Sequence, residues 1–219
     1  MKFMDRVKNV IFSPRTAFQN MLAEGFSMTE PVGIILGVSF VNALLFGVGI
    51  IRGFNAVSDF LSERMHIYPD VVHWEIDISG FTGFLLAIFV GAAVIYAIYS
   101  LIPWIITAGI GHITAKHIFK GLGNFESLLC TFGYSHIAAI SYTFGLIVFV
   151  LAPMTGFFVL IAMGIAHFIW SLVLRTLSIS EVYGLDTGRS FLCAIMPHLL
   201  LLLLWVLAAG IPFFFFKWY

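Results

Sequence analysis

The sequence predicts an all-α, polytopic membrane protein with five spanning helices and an amphipathic N-terminal interfacial segment. Three observations predict it. The 219 residues are 61% hydrophobic and 10% charged, with mean hydropathy +1.04, whereas a soluble domain carries roughly a quarter of its residues as Asp, Glu, Lys or Arg. The apolar residues gather into runs long enough to cross a bilayer, which takes about 20 residues each. The basic residues divide unequally between the two sides that five crossings define.

Pro31 to Ile51 contains no Asp, Glu, Lys or Arg and makes the first span, 31–51. The uncharged run Ile78 to Ala115 is too long for one perpendicular span and barely long enough for two. Pro103 and Trp104 divide it, since proline bends or ends a helix and tryptophan prefers the headgroup level. The reading is a span over 80–103 followed by an interfacial stretch to Lys116. Ser127 to Leu174 is again uncharged, and "LAPMTGF" near its middle supplies a helical hairpin. That gives spans at 127–151 and 156–174. The fifth, 190–216, closes on Lys217, Trp218 and Tyr219 as interfacial anchors. Residues 1–219 thus form a single membrane domain, with 1–30 a cytoplasmic amphipathic segment and 52–77 an extracytoplasmic loop.

Five crossings put Lys2, Arg6, Lys8, Arg15, Lys116, Lys120, Arg175 and Arg189 on the N-terminal side, against Arg52, Arg64 and Lys217 on the other. The positive-inside rule then places the N-terminus in the cytoplasm and the C-terminus outside. A sixth span would move Arg175 and Arg189 outward and spoil the bias. Zero formal net charge argues against a nucleic-acid partner. Charges scattered through residues 1–30 break the apolar core of a cleavable signal. Cys130 and Cys193 read as free thiols in apolar surroundings.

The N-terminal segment carries two helical patterns. Met4, Val7 and Ile11 repeat at helical spacing; then Ser13 stands as N-cap, Pro14 at the first helical position, and Ala17, Phe18, Met21 and Leu22 on one face. With Lys2, Arg6, Lys8 and Arg15 among them, these helices either lie along an anionic leaflet or pack on the bundle. Further on, Asn124 caps a helix whose first turn holds Glu126, followed by Cys130 and Tyr134 on one drifting face. Gly33 and Gly37, Ser39, Ala43 and Gly47, the stripe Tyr134, Ala138, Ser141 and Gly145, and the stripe Gly164, His167 and Ser171 suit close helix packing in lipid.

Two sets of side chains have the chemistry of a metal site. His73, Glu75 and Asp77 point to one side of an extended chain in the outer loop. His136, His167 and His198 each lie roughly 12 to 15 Å of helix rise from a charged cytoplasmic residue, so imidazoles at one level could hold a divalent metal or relay protons. Neutral histidines bonded to a neighbouring helix are the alternative. No cofactor is expected otherwise, and no enzyme signature is present: no G-x-S-x-G, H-E-x-x-H or phosphate loop. His112 and His117 stand about 140 degrees apart around a helix.

Three stretches, "NVIFSPRTAFQNM", "KGLGNFESLLCTFGYSHI" and "IWSLVLRTLSISEVYGLDTGRSF", together resemble the Ypt-interacting-protein (YIP) membrane domain family over nearly the whole chain. The last is the most specific, joining a helix end to a polar turn with Glu181, Tyr183, Gly184, Leu185 and Gly188. The resemblance implies a five-span protein without enzymatic activity. Eukaryotic members bind prenylated small GTPases and form hetero-oligomers in vesicle trafficking. This chain is similar to the compact prokaryotic members, without a long polar N-terminal region, which implies residence in a plasma membrane. It carries His136 where many relatives place proline. A small-GTPase partner is therefore expected only in a eukaryotic-type role.

The resulting expectation is a non-enzymatic scaffold or membrane-organising protein. It meets the lipid bilayer and a homo- or hetero-oligomeric partner, using Glu126, Tyr134, Glu181, Tyr183, Asp186 and Arg189 at its cytoplasmic face. The rival is a transporter of small solutes, divalent metal or protons through His136, His167 and His198, with Glu126 and Cys130 at its mouth.

Overall fold

The computed structural model describes residues 2–65 and 82–216. Among the described residues the chain is helical and without strands. In order, α1 is Phe3–Phe12, α2 Pro14–Glu24, α3 Thr29–Met65, α4 Thr82–Tyr99, α5 Leu101–Ile113, α6 Phe125–Tyr134, α7 Ala139–Leu151, α8 Pro153–Tyr183 and α9 Thr187–Phe216. A π-helical turn, Thr114–Ile118, extends α5, and a 3₁₀ turn, Ser135–Ala138, joins α6 to α7.

Five helical stretches are long and apolar enough to cross a membrane: Thr29–Leu61, Ala87–Ile118, Phe125–Leu151, Pro153–Tyr183 and Thr187–Ala208. The third is the most buried, 39% of its apolar window against 11 to 17% for the others. On the others large apolar side chains face outward, among them Phe157, Phe158, Ile161 and Ile165 on α8 and Leu201 to Leu204 on α9. That outward apolar surface is what a helix presents to lipid tails.

Several helix limits differ from the sequence reading. The stretch after Pro103, expected to lie along the interface, is the helix α5, which continues through its π turn to Ile118. Pro103 sits in the first turn of α5, where a missing N–H costs no internal hydrogen bond, so it starts a helix instead of ending one. Likewise α8 runs on through Arg175 to Tyr183, where Gly184 stops it. Gly184 adopts φ +66 and its N–H donates to the Ser180 carbonyl at 2.9 Å, a left-handed C-terminal cap. Ser180 Oγ donates to the Leu185 carbonyl at 2.8 Å, and Asp186 Oδ1 accepts from the Arg189 N–H at 3.1 Å as α9 begins.

The chain forms two compact units. The first comprises the described parts of Met1–Pro31, Ile102–Ser135 and Leu172–Tyr219, the second those of Val32–Leu101 and His136–Ser171. In the first unit the fully buried core is built from Val10, Phe18, Met21, Leu128, Leu174 and Ile179. Polar pairs run through it: the hydroxyls of Thr131 and Ser178 share a hydrogen bond at 2.5 Å, and Trp104 Nε1 donates to the Leu129 carbonyl at 3.0 Å. Such bonds satisfy polar atoms for which lipid offers no partner.

In the second unit some of the small residues act as close-packing points and some do not. A side chain at Gly145 would meet Met163 and the Leu160 backbone of α8, and one at Gly47 would run into the Phe89 ring. Gly33 and Gly37, expected to pack a neighbour, face open space among the described residues. Gly145→Leu is therefore expected to destabilise the protein by about 1–3 kcal/mol through overpacking, while Gly33→Ala leaves it unchanged or slightly more stable. Thermal unfolding of both variants in detergent, followed by intrinsic tryptophan fluorescence, checks the contrast.

Candidate functional site

The polar side chains of the first unit converge on the ends of its helices. Serine before proline at 13–14 separates α1 from α2, and the two helices pack as a hairpin. The face expected on α2 is found, with Ala17, Phe18 and Met21 fully buried. On α1 the buried residues are Arg6 and Val10, while Met4 is 71% exposed, so the helix is rotated away from the expected Met4, Val7, Ile11 stripe. The reason is electrostatic. Arg6 Nη1 donates to Glu30 Oε2 at 3.0 Å, and Arg6 Nη2 lies 3.7 Å from Glu24 Oε2.

Glu30 is the shared acceptor. The Tyr134 hydroxyl, at the C-terminal end of α6, donates to the same Oε2 atom. Glu30 precedes Pro31 on α3, and Gly133 precedes Tyr134 on α6. A Cβ on Gly133 would collide with the Pro31 ring, so only glycine lets α6 come near enough for the tyrosine to reach the carboxylate. Burial works against the charge on Arg6, but its hydrogen bonding to Tyr134 and its attraction to Glu30 outweigh that penalty and hold its pKa above the ordinary value.

A second clamp ties α2 to the end of α8. Arg15 Nε donates to Glu181 Oε1 at 2.6 Å and Gln19 Nε2 donates to Glu181 Oε2 at 2.9 Å. Arg15 is more than half exposed, so the ion pair itself contributes less than about 1 kcal/mol; its value is positional, because both carboxylate oxygens are occupied. A third junction lies beneath it. The Tyr183 hydroxyl is hydrogen-bonded to His112 Nδ1 and lies 3.3 Å from the Asn124 carbonyl oxygen. Asn124 caps α6 as expected, its Oδ1 accepting from the Ser127 N–H at 2.8 Å. Gly121 packs on Tyr183 and Gly123 on the Val182 carbonyl, and the Leu122 N–H donates to the Tyr183 carbonyl at 3.3 Å. The loop before α6 is thereby laid across the end of α8.

Of the six residues expected at an interface, three are internal. Tyr134 and Tyr183 are buried and Glu181 is mostly covered by its clamp. Glu126, Asp186 and Arg189 are exposed, the last two joined by an ion pair at 3.1 Å. Leu122 is 97% exposed on its pinned loop, and Lys116 and Lys120 are exposed as well. Leu122 was not singled out by the sequence; a single leucine in "GLGN" has the same appearance whether it is buried or bare.

The histidines are divided. His136 and His167 belong to the second unit, where the His167 ring lies 6.3 Å from that of Tyr142, and His198 belongs to the first. Arg175 also lies in the first unit, its guanidinium 5.7 Å above the centre of the Phe132 ring and its Nε 3.4 Å from Ser135 Oγ. Among the described residues no three His, Cys, Asp or Glu side chains come together as a metal-holding set. His73, Glu75 and Asp77 lie outside the described residues. Cys130 and Cys193 are buried free thiols.

Five apolar helices, a capped polar turn after α8 and a glycine-bearing loop before α6 define a polytopic helical membrane protein. The family model of the Yip1 domain matches residues 8–209. The chain belongs to the Yip1 domain family. No curated protein and no solved structure matches it.

The network around Glu30 makes a quantitative prediction. In a double-mutant cycle of Arg6→Met and Glu30→Gln, the two substitutions are expected to couple by about 1–3 kcal/mol, since each alone strands a partly buried charge or donor. Tyr134→Phe alone is expected to cost about 1–2 kcal/mol. Denaturant or thermal unfolding in detergent provides the values, and strict additivity in the cycle would show that Arg6 and Glu30 act separately.

Proposed function

We propose that this protein is a non-enzymatic membrane scaffold whose working surface is the polar end of the first unit, and that this end faces the cytoplasm. The observation that carries the reading is Leu122, a fully bared apolar side chain on a loop held rigid at both sides. Glu24, Glu30 and Glu181 are engaged internally by Arg6 and Arg15. The exposed groups around the loop are Lys116, Lys120, Glu126, Asp186 and Arg189. One apolar anchor in a rim of both charge signs suits a protein partner better than an ion or a small solute. The uneven distribution of basic residues supports the cytoplasmic assignment.

The partner is a second copy of this chain or another membrane-associated protein, brought together in the plane of the bilayer. A small GTPase belongs to this reading only if the protein works in a eukaryotic trafficking pathway. The plasma membrane is the setting in a prokaryote.

Photocrosslinking in native membranes tests the proposal. A photoreactive residue at position 122 or 186 is expected to give one discrete adduct of constant mass, and one at Phe157, which faces outward on α8, is expected to give none. Leu122→Asp, read from a probe at position 186, is expected to reduce that adduct roughly tenfold or more, as loss of an interface anchor does. Monomer alone at all three positions contradicts the scaffold reading.

A further inference from the structure

We infer that the second unit holds a binding site for a neutral amphiphile: a molecule with an apolar body and a single uncharged hydroxyl or carbonyl head, seated at the middle of the bilayer. The site is a cavity of about 450 Å³ whose wall includes Asn42 and Phe46 of α3, Phe89 and Tyr96 of α4, and Tyr142 of α7. This volume falls among those of small-molecule sites, which are mostly apolar with a few placed polar groups. Gly47 belongs to the same wall, and any side chain there would strike the Phe89 ring.

The polar groups and their depth define the ligand. Asn42 stands 12 residues beyond Glu30 on α3, about 18 Å along the helix axis and so near the middle of a hydrocarbon core about 30 Å thick. An amide at that depth is costly unless bonded. The bond it makes is to Thr143, whose Oγ1 lies 2.7 Å from Asn42 Oδ1 and 3.0 Å from the Ala139 carbonyl.

A hydroxyl has one proton, so Thr143 cannot donate to both oxygens at once. With its proton on Ala139, the Asn42 amide turns an N–H to the threonine oxygen and leaves its carbonyl unused; with its proton on Asn42, the amide N–H₂ is unused. In both arrangements half of the amide remains for a ligand. Tyr142 lines the same wall, its ring 6.3 Å from that of His167.

Charge selects among amphiphiles. No Asp, Glu, Lys or Arg lines the cavity among the described residues. A phosphate or ammonium head drawn to mid-bilayer depth would lack a counter-ion there, at a cost of several kcal/mol. A hydroxyl or carbonyl crosses to that depth at far lower cost and finds the Asn42 amide and the Tyr142 hydroxyl. Diacylglycerol, with one hydroxyl and no charge, is a suitable probe of the class.

The test uses the full chain in phosphatidylcholine nanodiscs with a trace of diazirine-bearing diacylglycerol or, in parallel, diazirine-bearing phosphatidylglycerol, and maps adducts by mass spectrometry. The diacylglycerol probe is expected to label the wall around Phe46, Phe89 and Tyr142 saturably and to be displaced by excess unlabelled diacylglycerol. Asn42→Leu is expected to reduce this labelling roughly tenfold, the loss of one good hydrogen bond. Ala43→Trp, which fills the cavity, is expected to abolish it. Labelling of the outward face of α8 at Phe157 and Ile165 serves as the folding control and is expected to stay constant. Labelling of the wall that is not saturable, that excess diacylglycerol fails to displace, or that phosphatidylglycerol matches in strength would overturn the inference; the displacement experiment on the unaltered chain decides this even if a variant misfolds.

Discussion

The carboxylate of Glu30 is the constraint from which the first unit takes its form. It sits at the start of the first apolar span, where a charge meets the boundary between water and lipid. There it accepts hydrogen bonds from Arg6 of α1 and Tyr134 of α6. Those partners are 24 and 104 residues distant in sequence, so one side chain joins three separate segments. The rotation of α1 follows, with Arg6 turned inward and Met4 outward. So does the need for glycine at position 133, since the tyrosine reaches the carboxylate only if the backbone of α6 passes close to Pro31. In lipid, where apolar association gives helices little drive to meet, such polar fixings and close backbone approaches supply much of the specificity.

Glu181 repeats the arrangement at the end of α8, with both oxygens taken by Arg15 and Gln19 of α2. Between the two carboxylates the N-terminal hairpin is tied to α3 and to α8. The loop before α6 is fixed separately, by Tyr183, the Asn124 cap and two glycines that no larger residue could replace without displacing α8. The consequence is a polar end whose internal acids are spoken for and whose remaining groups, Leu122 with its flanking charges, are available to something else. A rigid loop bearing one apolar side chain loses little conformational freedom on binding, which favours recognition.

The fold was legible in the sequence because its signals are local. Runs without charge gave the five spans, Asn124 three residues before Ser127 gave the cap of α6, and Ala17, Phe18 and Met21 at helical spacing gave the buried face of α2. What was not legible depends on partners far along the chain. Nothing near Arg6 tells that it is drawn inward by an acid 24 residues later, so the spacing of Met4, Val7 and Ile11 leaves open which face of α1 is covered. The role of Pro103 is equally hidden, because proline within an apolar run has the same letters whether it ends a helix or opens one. Gly33 and Gly145 likewise sit in similar contexts, yet only the second has a neighbour at its surface. At the candidate interface, Glu126, Asp186 and Arg189 carry their exposure in their polarity, whereas the burial of Tyr134 and Tyr183 is not legible, because a tyrosine's hydroxyl serves a buried hydrogen bond as readily as an exposed one.

A Yip1-domain protein so constructed presents a fixed polar end and an outer apolar surface for lipid, and Glu30 holds its N-terminal hairpin in place. Pulsed electron-spin distance measurement between labels at Lys8 on α1 and Glu126 on α6, both exposed positions, tests this in proteoliposomes after replacement of the two buried cysteines. One narrow distance distribution is expected in the otherwise unaltered chain, becoming broad when Glu30→Gln is introduced. A distribution already broad before that change, or one equally narrow after it, would show that Glu30 does not hold the hairpin.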